Sequence, residues 1–147
     1  MKLTYSGMRG FTLLELMVVI AIISILASLS APTFTRQIAK ANLIEAQNIA
    51  TQHQSLVEEY ILLNGSFPTD NEFDDIKQAV ADDSIVQSIA VNDADSIIIT
   101  LNSATGIDDS STLTYTRDDD RNWQCTSDLD TNVLPLKCTS TSTTGGE

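Results

Sequence analysis

Apolar residues dominate the first quarter of the chain and then thin into a periodic pattern. No charged residue interrupts the stretch from Leu16 to Thr35, which has about the 20 residues that a membrane-spanning helix needs. From Ile38 to Leu63 apolar residues return at intervals of three and four, the spacing of one face of an amphipathic helix. The pattern therefore predicts one long helical region, apolar all round in its first half and two-faced in its second.

In the second half, the predicted buried face carries Leu43, Ala46, Ile49, Ala50, Val57, Tyr60 and Ile61. The opposite, polar face carries Gln47, Asn48, Thr51, Ser55 and Glu58. His53 falls on the apolar face, where a single histidine is expected to be a packed, hydrogen-bonded core residue rather than a ligand or catalyst. Pro32 lies between the two halves and predicts a kink or loosened helix around residues 28–32, because proline removes a donor and clashes with the preceding turn.

The C-terminal half has the pattern of a small sheet. Asn64-Gly65 and Pro68 end the helix, and residues 64–84 are expected to form a connecting loop with at most one short helix, for which DDIKQAVADD has a weak pattern. Four short β-branched or aromatic segments follow: SIVQSIAV, DSIIITLN, STLTYTR and NWQCTS. Such short connections favour an antiparallel meander whose inner face covers the helix. The predicted fold is therefore α+β, a long N-terminal helix packed on an antiparallel sheet of about four strands.

Charge and composition exclude several functions. The formal net charge of -12 repels nucleic-acid phosphates at long range, which disfavours general DNA binding but does not exclude a small local basic patch. With one histidine, no Ser/His/acid set and no phosphate-binding Gly loop, the chain is not expected to be an enzyme. Asp118-Asp119-Asp120, with Asp128 and Asp130 nearby, could gather around a calcium ion, but no complete EF-hand loop is present and a charge run is usually a solvated turn. No metal or cofactor is expected.

Cys125 and Cys138 lie close together near the C-terminus, with no histidine or third cysteine beside them to complete a zinc site. We interpret them as a disulfide, the alternative being two reduced thiols. A disulfide that closes a loop of this size contributes about 3 kcal/mol in the chain-entropy model, and it persists in an oxidising compartment.

The N-terminus poses a problem that composition does not solve. Lys2 and Arg9 precede the apolar run, which keeps the N-terminus cytoplasmic and directs the rest of the chain outward. A secretory signal cut near ASLSAP, or a plain membrane anchor, would fit this arrangement. Neither explains Glu15, because a charge in an apolar membrane segment costs roughly 2.5–3.5 kcal/mol near the bilayer centre.

A family resemblance supplies an explanation. The segment Arg9-Gly10-Phe11-Thr12-Leu13-Leu14-Glu15 resembles the processing site of the type IV pilin family, and the match continues through Ala31-Pro32. The resemblance implies that a prepilin peptidase cuts between Gly10 and Phe11 and N-methylates the new terminus. The apolar helix is then retained, unlike a secretory signal.

Cleavage also implies a partner for Glu15. The new Phe11 amine is a cation, and the family's helices pack so that Glu15 can meet the amine of a neighbour. At 4 Å and an effective dielectric near 20, this attraction is about 4 kcal/mol, comparable to the cost of the carboxylate. Ser24 occupies the place where related pilins often have Gly, so any loosening of the helix on assembly is expected to depend on Pro32.

The C-terminal end carries the resemblance too. Trp123-Gln124-Cys125 and Leu134-Pro135-Leu136-Lys137-Cys138 resemble the end of type IVa pilins, in which a disulfide pins the last segment to the sheet. The run Gly65-Ser66-Phe67-Pro68-Thr69 resembles the start of the family's variable connection. The implied division is a leader at 1–10, a transmembrane and assembly helix at 11–35 and a globular domain at 36–147. That domain comprises an amphipathic helix at 36–63, a connection at 64–84, a sheet and disulfide region at 85–138 and a flexible tail at 139–147.

The resemblance implies a structural subunit of a type IV pilus filament that serves adhesion, twitching motility or DNA uptake. Its partners would be other pilins, prepilin peptidase and the assembly platform of the inner membrane. The chain would cross the bacterial inner membrane once, with a periplasmic C-terminus, and would later lie in an extracellular filament. Two alternatives stay open: a pseudopilin of the type II secretion system, which the cysteine pair disfavours, and a minor tip pilin acting as adhesin or DNA receptor.

Overall fold

The first element of the protein is a single helix, α1, that spans Leu13–Asn64. It is seen in a computed structural model that describes residues 10–142, apart from the side chains of residues 30–32. The chain divides into two compact units, Met1–Phe34 and Thr35–Glu147, and α1 contributes to both. Residues 1–9 of the predicted leader and residues 143–147 of the predicted tail lie outside the described residues. Helix α1 continues through position 32 without a break, and the kink at Pro32 stays a prediction.

The second half of α1 is amphipathic as predicted. Its fully buried side chains recur at intervals of three and four, and they are Ala39, Leu43, Ala46, Ala50, His53 and Val57. Ile49 and Ile61 are half-buried and pack against the same core. Small residues at three of the six buried positions let the sheet approach the helix backbone closely.

The connection contains one short helix, α2, at Asp70–Ile76. It begins before the DDIKQAVADD segment in which a short helix was considered, because Thr69 and Glu72 form a capping box at its start. The Thr69 backbone N–H and hydroxyl both donate to Oε2 of Glu72, at 2.8 and 2.7 Å. The signal was the Thr-x-x-Glu spacing inside a segment that proline and glycine had marked as a loop.

Five strands form one sheet, in the order in which they occur along the chain: β1 Val86–Asn92, β2 Ser96–Leu101, β3 Thr112–Arg117, β4 Trp123–Ser127 and β5 Cys138–Ser140. Strands β1 to β4 are the predicted antiparallel meander. Strand β5 was not predicted, and it pairs parallel to β4. It has three residues and no β-strand pattern of its own, and two of them fall in the predicted flexible tail.

The core lies between the sheet and the second half of α1. Buried residues of the strands, including Ile97, Ile99 and Leu113, form one hydrophobic cluster with the buried stripe of the helix. Gly106, in the loop between β2 and β3, lies close to α1. A Cβ at this position would lie 3.1 Å from Cβ of Ala39, and the backbone has a φ of +77°, so the loop requires glycine there.

Candidate assembly site

The start of α1 exposes apolar side chains on every face of the helix. Its large apolar residues are all at least half exposed, namely Leu13, Leu14, Leu16, Met17, Val18, Val19, Ile20, Ile22, Ile23, Ile25, Leu26 and Leu29. Helix α1 is long and apolar enough to cross a membrane, and none of its most apolar window is buried. A helix that is apolar all round must be covered by lipid or by other helices. This segment is therefore a contact surface rather than part of a closed core.

Two serines in this segment satisfy their hydroxyls locally. Ser24 Oγ donates to the carbonyl of Ile20 at 2.7 Å, and Ser28 Oγ donates to the carbonyl of Ile25 at 2.7 Å. Such bonds back to the preceding turn let polar groups reside in an apolar environment, and they favour slight helix bending. Ser24 thus keeps its side chain against its own helix.

Glu15 is held at the start of α1 by Thr12. The Thr12 backbone N–H and hydroxyl both donate to Oε2 of Glu15 at 2.9 Å, and the Glu15 N–H donates to the Thr12 hydroxyl at 3.2 Å. This is a capping box, which satisfies two groups at a helix N-terminus that would otherwise lack partners. The Thr12-x-x-Glu15 spacing carries the signal of this capping box, which gives Glu15 a role in addition to the predicted pairing between subunits.

The capping box leaves part of the carboxylate available. Both bonds from Thr12 go to Oε2, and Oε1 of Glu15 accepts no hydrogen bond within residues 10–142. Gly10, Phe11 and Thr12 precede the helix, and Gly10 and Phe11 are exposed. The predicted cleavage bond and the predicted pairing carboxylate therefore lie within one exposed segment at the start of the helix.

The predicted disulfide is present. Cys125 in β4 and Cys138 in β5 are bonded, with their Cα atoms 4.5 Å apart. They are also register partners, because the two parallel strands place Cys125 opposite Cys138. Beyond them, the Thr141 N–H donates to the carbonyl of Ser127 at 2.6 Å. The disulfide and this hydrogen bond together fix the last described segment to the edge of the sheet.

Glu58 corrects the predicted polar face of the helix. It is half-buried, and its carboxylate binds two residues of the sheet. Arg117, the last residue of β3, donates from Nε to Oε1 at 2.7 Å and from Nη2 to Oε2 at 3.2 Å. Trp123 Nε1 donates to the same Oε1 at 3.0 Å. Helical spacing predicts Glu58 on the exposed face, but the fold brings Arg117 and Trp123 within hydrogen-bonding distance of its carboxylate.

Acid is expected to weaken this link between helix and sheet. The hydrogen bond from Arg117 holds the pKa of Glu58 below its ordinary value of 4.5. The folded chain therefore binds this proton less readily than the unfolded chain, so the stabilisation is complete above about pH 4.5 and is lost as the pH falls further. We expect Glu58→Gln to lower the free energy of unfolding at pH 7 by about 1 kcal/mol, since the pair is partly solvated.

The measurement is denaturant unfolding of the full chain in detergent between pH 7 and pH 3, followed by the fluorescence of Trp123. The difference in free energy of unfolding between wild type and Glu58→Gln should become smaller as the pH approaches 3. Glu59→Gln is the matched control, because Glu59 is exposed and forms no ion pair in the described part of the chain. A constant difference across the pH range would contradict the ionic account.

Three of the acidic residues considered for calcium accept backbone hydrogen bonds. Asp118 Oδ1 accepts the Asn122 N–H at 2.7 Å, which lowers the pKa of Asp118, and Asp128 Oδ1 accepts the Thr112 N–H at 2.8 Å. Asp130 Oδ1 accepts the Asn132 N–H at 2.7 Å. Among residues 10–142, no group of three or more His, Cys, Asp or Glu side chains is arranged to hold a metal ion.

His53 has the structural role predicted for it. The side chain is 1% exposed, and its ring lies 5.9 Å from the ring of Phe73. Nε2 accepts the Gln78 backbone N–H at 3.2 Å, which assigns the proton to Nδ1, 2.7 Å from the carbonyl of Ile49. Both ring nitrogens are thus occupied, and the ring ties the connection to the helix.

Comparison with known proteins agrees with this architecture. Residues 39–139 match the Pilin family, described as pilin of a bacterial filament, and residues 6–31 match the prokaryotic N-terminal methylation motif. Fimbrial protein EcpC of Eikenella corrodens is 34% identical over 143 residues, which cover 92% of this chain and 93% of that protein.

Two further relatives are similar over different shares of the chain. Type IV major fimbrial protein FimA of Dichelobacter nodosus is 28% identical over 149 residues, covering 88% of this chain and 95% of that protein. Type IV major pilin protein PilE of Neisseria gonorrhoeae is 46% identical over 63 residues, covering 43% of this chain and 38% of that protein. With the exposed apolar helix, the sheet and the C-terminal disulfide, these matches establish that the chain belongs to the type IV pilin family.

Proposed function

We propose that this chain is a structural subunit of a type IV pilus filament and polymerises through the first part of α1. The observation that carries the proposal is the apolar segment 13–29, which is exposed on every face while residues 39–139 have a closed core of their own. A segment of this kind is covered by lipid in a membrane-anchored precursor and by the helices of neighbouring subunits in a filament.

Processing converts the precursor into the subunit. Prepilin peptidase cuts between Gly10 and Phe11 and N-methylates Phe11. The exposure of both residues and their position ahead of the helix support this step, because the bond is accessible without unwinding α1. The leader carries Lys2 and Arg9 and stays on the cytoplasmic side, and the C-terminal domain faces the periplasm.

Glu15 sets the register of assembly. Its carboxylate pairs with the Phe11 amine of a neighbouring subunit, through the oxygen that Thr12 leaves unoccupied. Pro32 supplies the place at which the helix can loosen when subunits move from the membrane into the filament. The assembly platform of the inner membrane drives this transfer, and the subunit itself has no catalytic activity.

The test is mass spectrometry of surface filaments sheared from cells that produce the chain. The expected result is abundant chain that begins at N-methylated Phe11. Gly10→Val should leave uncut precursor in the membrane and no chain in the filaments, because the enlarged side chain blocks the cleavage site. A mature chain starting after Ser30 or Ala31 would contradict processing as a pilin. Absence of the chain from wild-type filaments would instead favour a pseudopilin.

A further inference from the structure

A groove of about 390 Å³ on the Thr35–Glu147 unit combines apolar walls with two lysines. Ile44 of α1 and the segment Leu134-Pro135-Leu136 between β4 and β5 form its apolar lining, and Lys40 and Lys137 also line it. Ile44 is 54% exposed and Leu136 is fully exposed. We call this surface the basic groove. It needs an apolar occupant with negative charge.

Both lysines of the basic groove lack an ion pair. In the described part of the chain, the ion pairs are Lys77 with Asp74 and Arg117 with Glu58. Arg36 lies one helical turn before Lys40 and adds to the same positive region. On a chain with a formal net charge of -12, such a cluster of unpaired cations is a local exception. Its charge is opposite in sign to the net charge of another copy.

A second exposed apolar surface lies at the C-terminal end of the same helix. Leu62 and Leu63, in the last turn of α1, are 80% and 79% exposed. Glu59 is exposed and precedes them by three and four residues, so it shares their side of the helix. Within residues 10–142, Glu59 forms no ion pair. This acidic leucine end, Glu59 with Leu62 and Leu63, has the chemistry that the basic groove requires.

One copy cannot satisfy both surfaces. Eighteen residues separate Ile44 from Leu62 within one helix, which places them about 27 Å apart along its axis. Contact between the two surfaces therefore requires a second copy of the chain. Because the two surfaces differ, the contact is heterologous and repeats from copy to copy. A repeated heterologous contact gives an open helical filament when its rotation does not close into a ring.

We infer that the basic groove of one subunit receives the acidic leucine end of another subunit of the same chain in the filament. Leu62 and Leu63 fill the apolar part of the groove, and Glu59 pairs with Lys40 and Lys137. The local attraction offsets the repulsion between strongly acidic subunits. The inference rests on the proposed function and adds a specific contact between globular domains to the helix contacts.

Charge reversal tests the contact in cells. Lys40→Glu combined with Lys137→Glu should lower the number of surface filaments about tenfold, with processed subunit unchanged in the membrane. Adding Glu59→Lys should restore filaments in part, because it restores attraction across the contact. The control is Lys77→Glu, which makes the same two-unit charge change as each single groove substitution, at a lysine outside the groove, and should leave filaments near wild-type number. Normal filament numbers in the double variant would overturn the inference.

Cross-linking tests the identity of the occupant. In purified filaments of Ile44→Cys combined with Leu63→Cys, oxidation should give a ladder of covalent multimers on a non-reducing gel, while either substitution alone should give at most dimers. Monomers from the double variant would overturn the inference, even if charge reversal lowers filament number, because another component would then occupy the groove. Wild-type filaments that contain none of this chain would overturn the proposed function itself, and that control is read first.

Discussion

Cells whose only copy of this chain carries Glu15→Val are expected to hold normal amounts of processed subunit in the membrane and few or no surface filaments. Valine removes a charge that is costly in lipid, so insertion should be at least as efficient as in the wild type. The globular unit begins at Thr35 and should unfold at an unchanged temperature. In the proposed assembly, the filament in contrast loses one charge pair and its axial register at every subunit.

The capping box gives Glu15 a second role, and a second variant separates the two. Glu15→Gln keeps an oxygen that can accept from the Thr12 N–H and hydroxyl, because glutamine serves as well as glutamate in a capping box. It cannot form an ion pair with the Phe11 amine of a neighbour. We therefore expect Glu15→Gln to lose filaments almost as completely as Glu15→Val.

The measurement is a count of filaments by electron microscopy beside an immunoblot of membrane and sheared fractions. Thr12→Val is the complementary control, since it removes the capping hydroxyl and retains the carboxylate. Filaments of normal number in Glu15→Gln would mean that the capping box, and not the charge, is what assembly requires. Low amounts of processed subunit in Glu15→Val would place the defect before assembly.

The sequence predicted those parts of the fold in which pattern and local chemistry agree. Apolar spacing defined α1 and its buried stripe because a helix that packs on one side must repeat every three to four residues. Four strands were recognisable because β-branched runs alternate with Asp, Asn and Gly. Short connections then left an antiparallel meander as the simplest arrangement. His53 was placed correctly by its position on the apolar face.

The parts that were missed depend on partners distant in sequence. Strand β5 has three residues, and its first residue, Cys138, is bonded to its register partner Cys125 in β4. Glu58 lies on the polar side of the helix by spacing, and its partner Arg117 is 59 residues away. Neither relation produces a local pattern. The two capping boxes, in contrast, have a local sequence signal in the spacings Thr12-x-x-Glu15 and Thr69-x-x-Glu72. The apolar run around the first and the turn residues around the second obscured that signal.

Loss of the disulfide is expected to have the largest effect on the stability of the globular unit. Cys125 and Cys138 are 13 residues apart, and opening this loop should lower the free energy of unfolding by about 3 kcal/mol in the chain-entropy model. Three residues of parallel pairing cannot hold β5 alone, because short edge pairings contribute little without a covalent constraint. Cys125→Ser should therefore release β5 and loosen the segment that precedes it.

The measurement is urea unfolding of the full chain in detergent. The fluorescence of the single tryptophan, Trp123, reports the transition, and this residue lies two positions before Cys125. Cys125→Ser combined with Cys138→Ser is the matched control, since it leaves no free thiol to form wrong disulfides, and it should be destabilised as much as the single variant. Wild-type protein treated with a reductant should approach the same stability. Equal unfolding free energies with and without the bond would show that the hydrogen bonds of β5 suffice.

Cys125→Ser is also expected to affect filament assembly through the basic groove. Leu134, Leu136 and Lys137 line the basic groove and lie inside the loop that the disulfide closes. When β5 is released, these three groove residues lose their attachment to the sheet. Cys125→Ser should therefore lower filament number even at temperatures where the domain stays folded. Glu58→Gln weakens the domain at a site outside the groove and serves as the comparison. If both variants lose filaments only in proportion to their loss of stability, the disulfide contributes to assembly through folding alone.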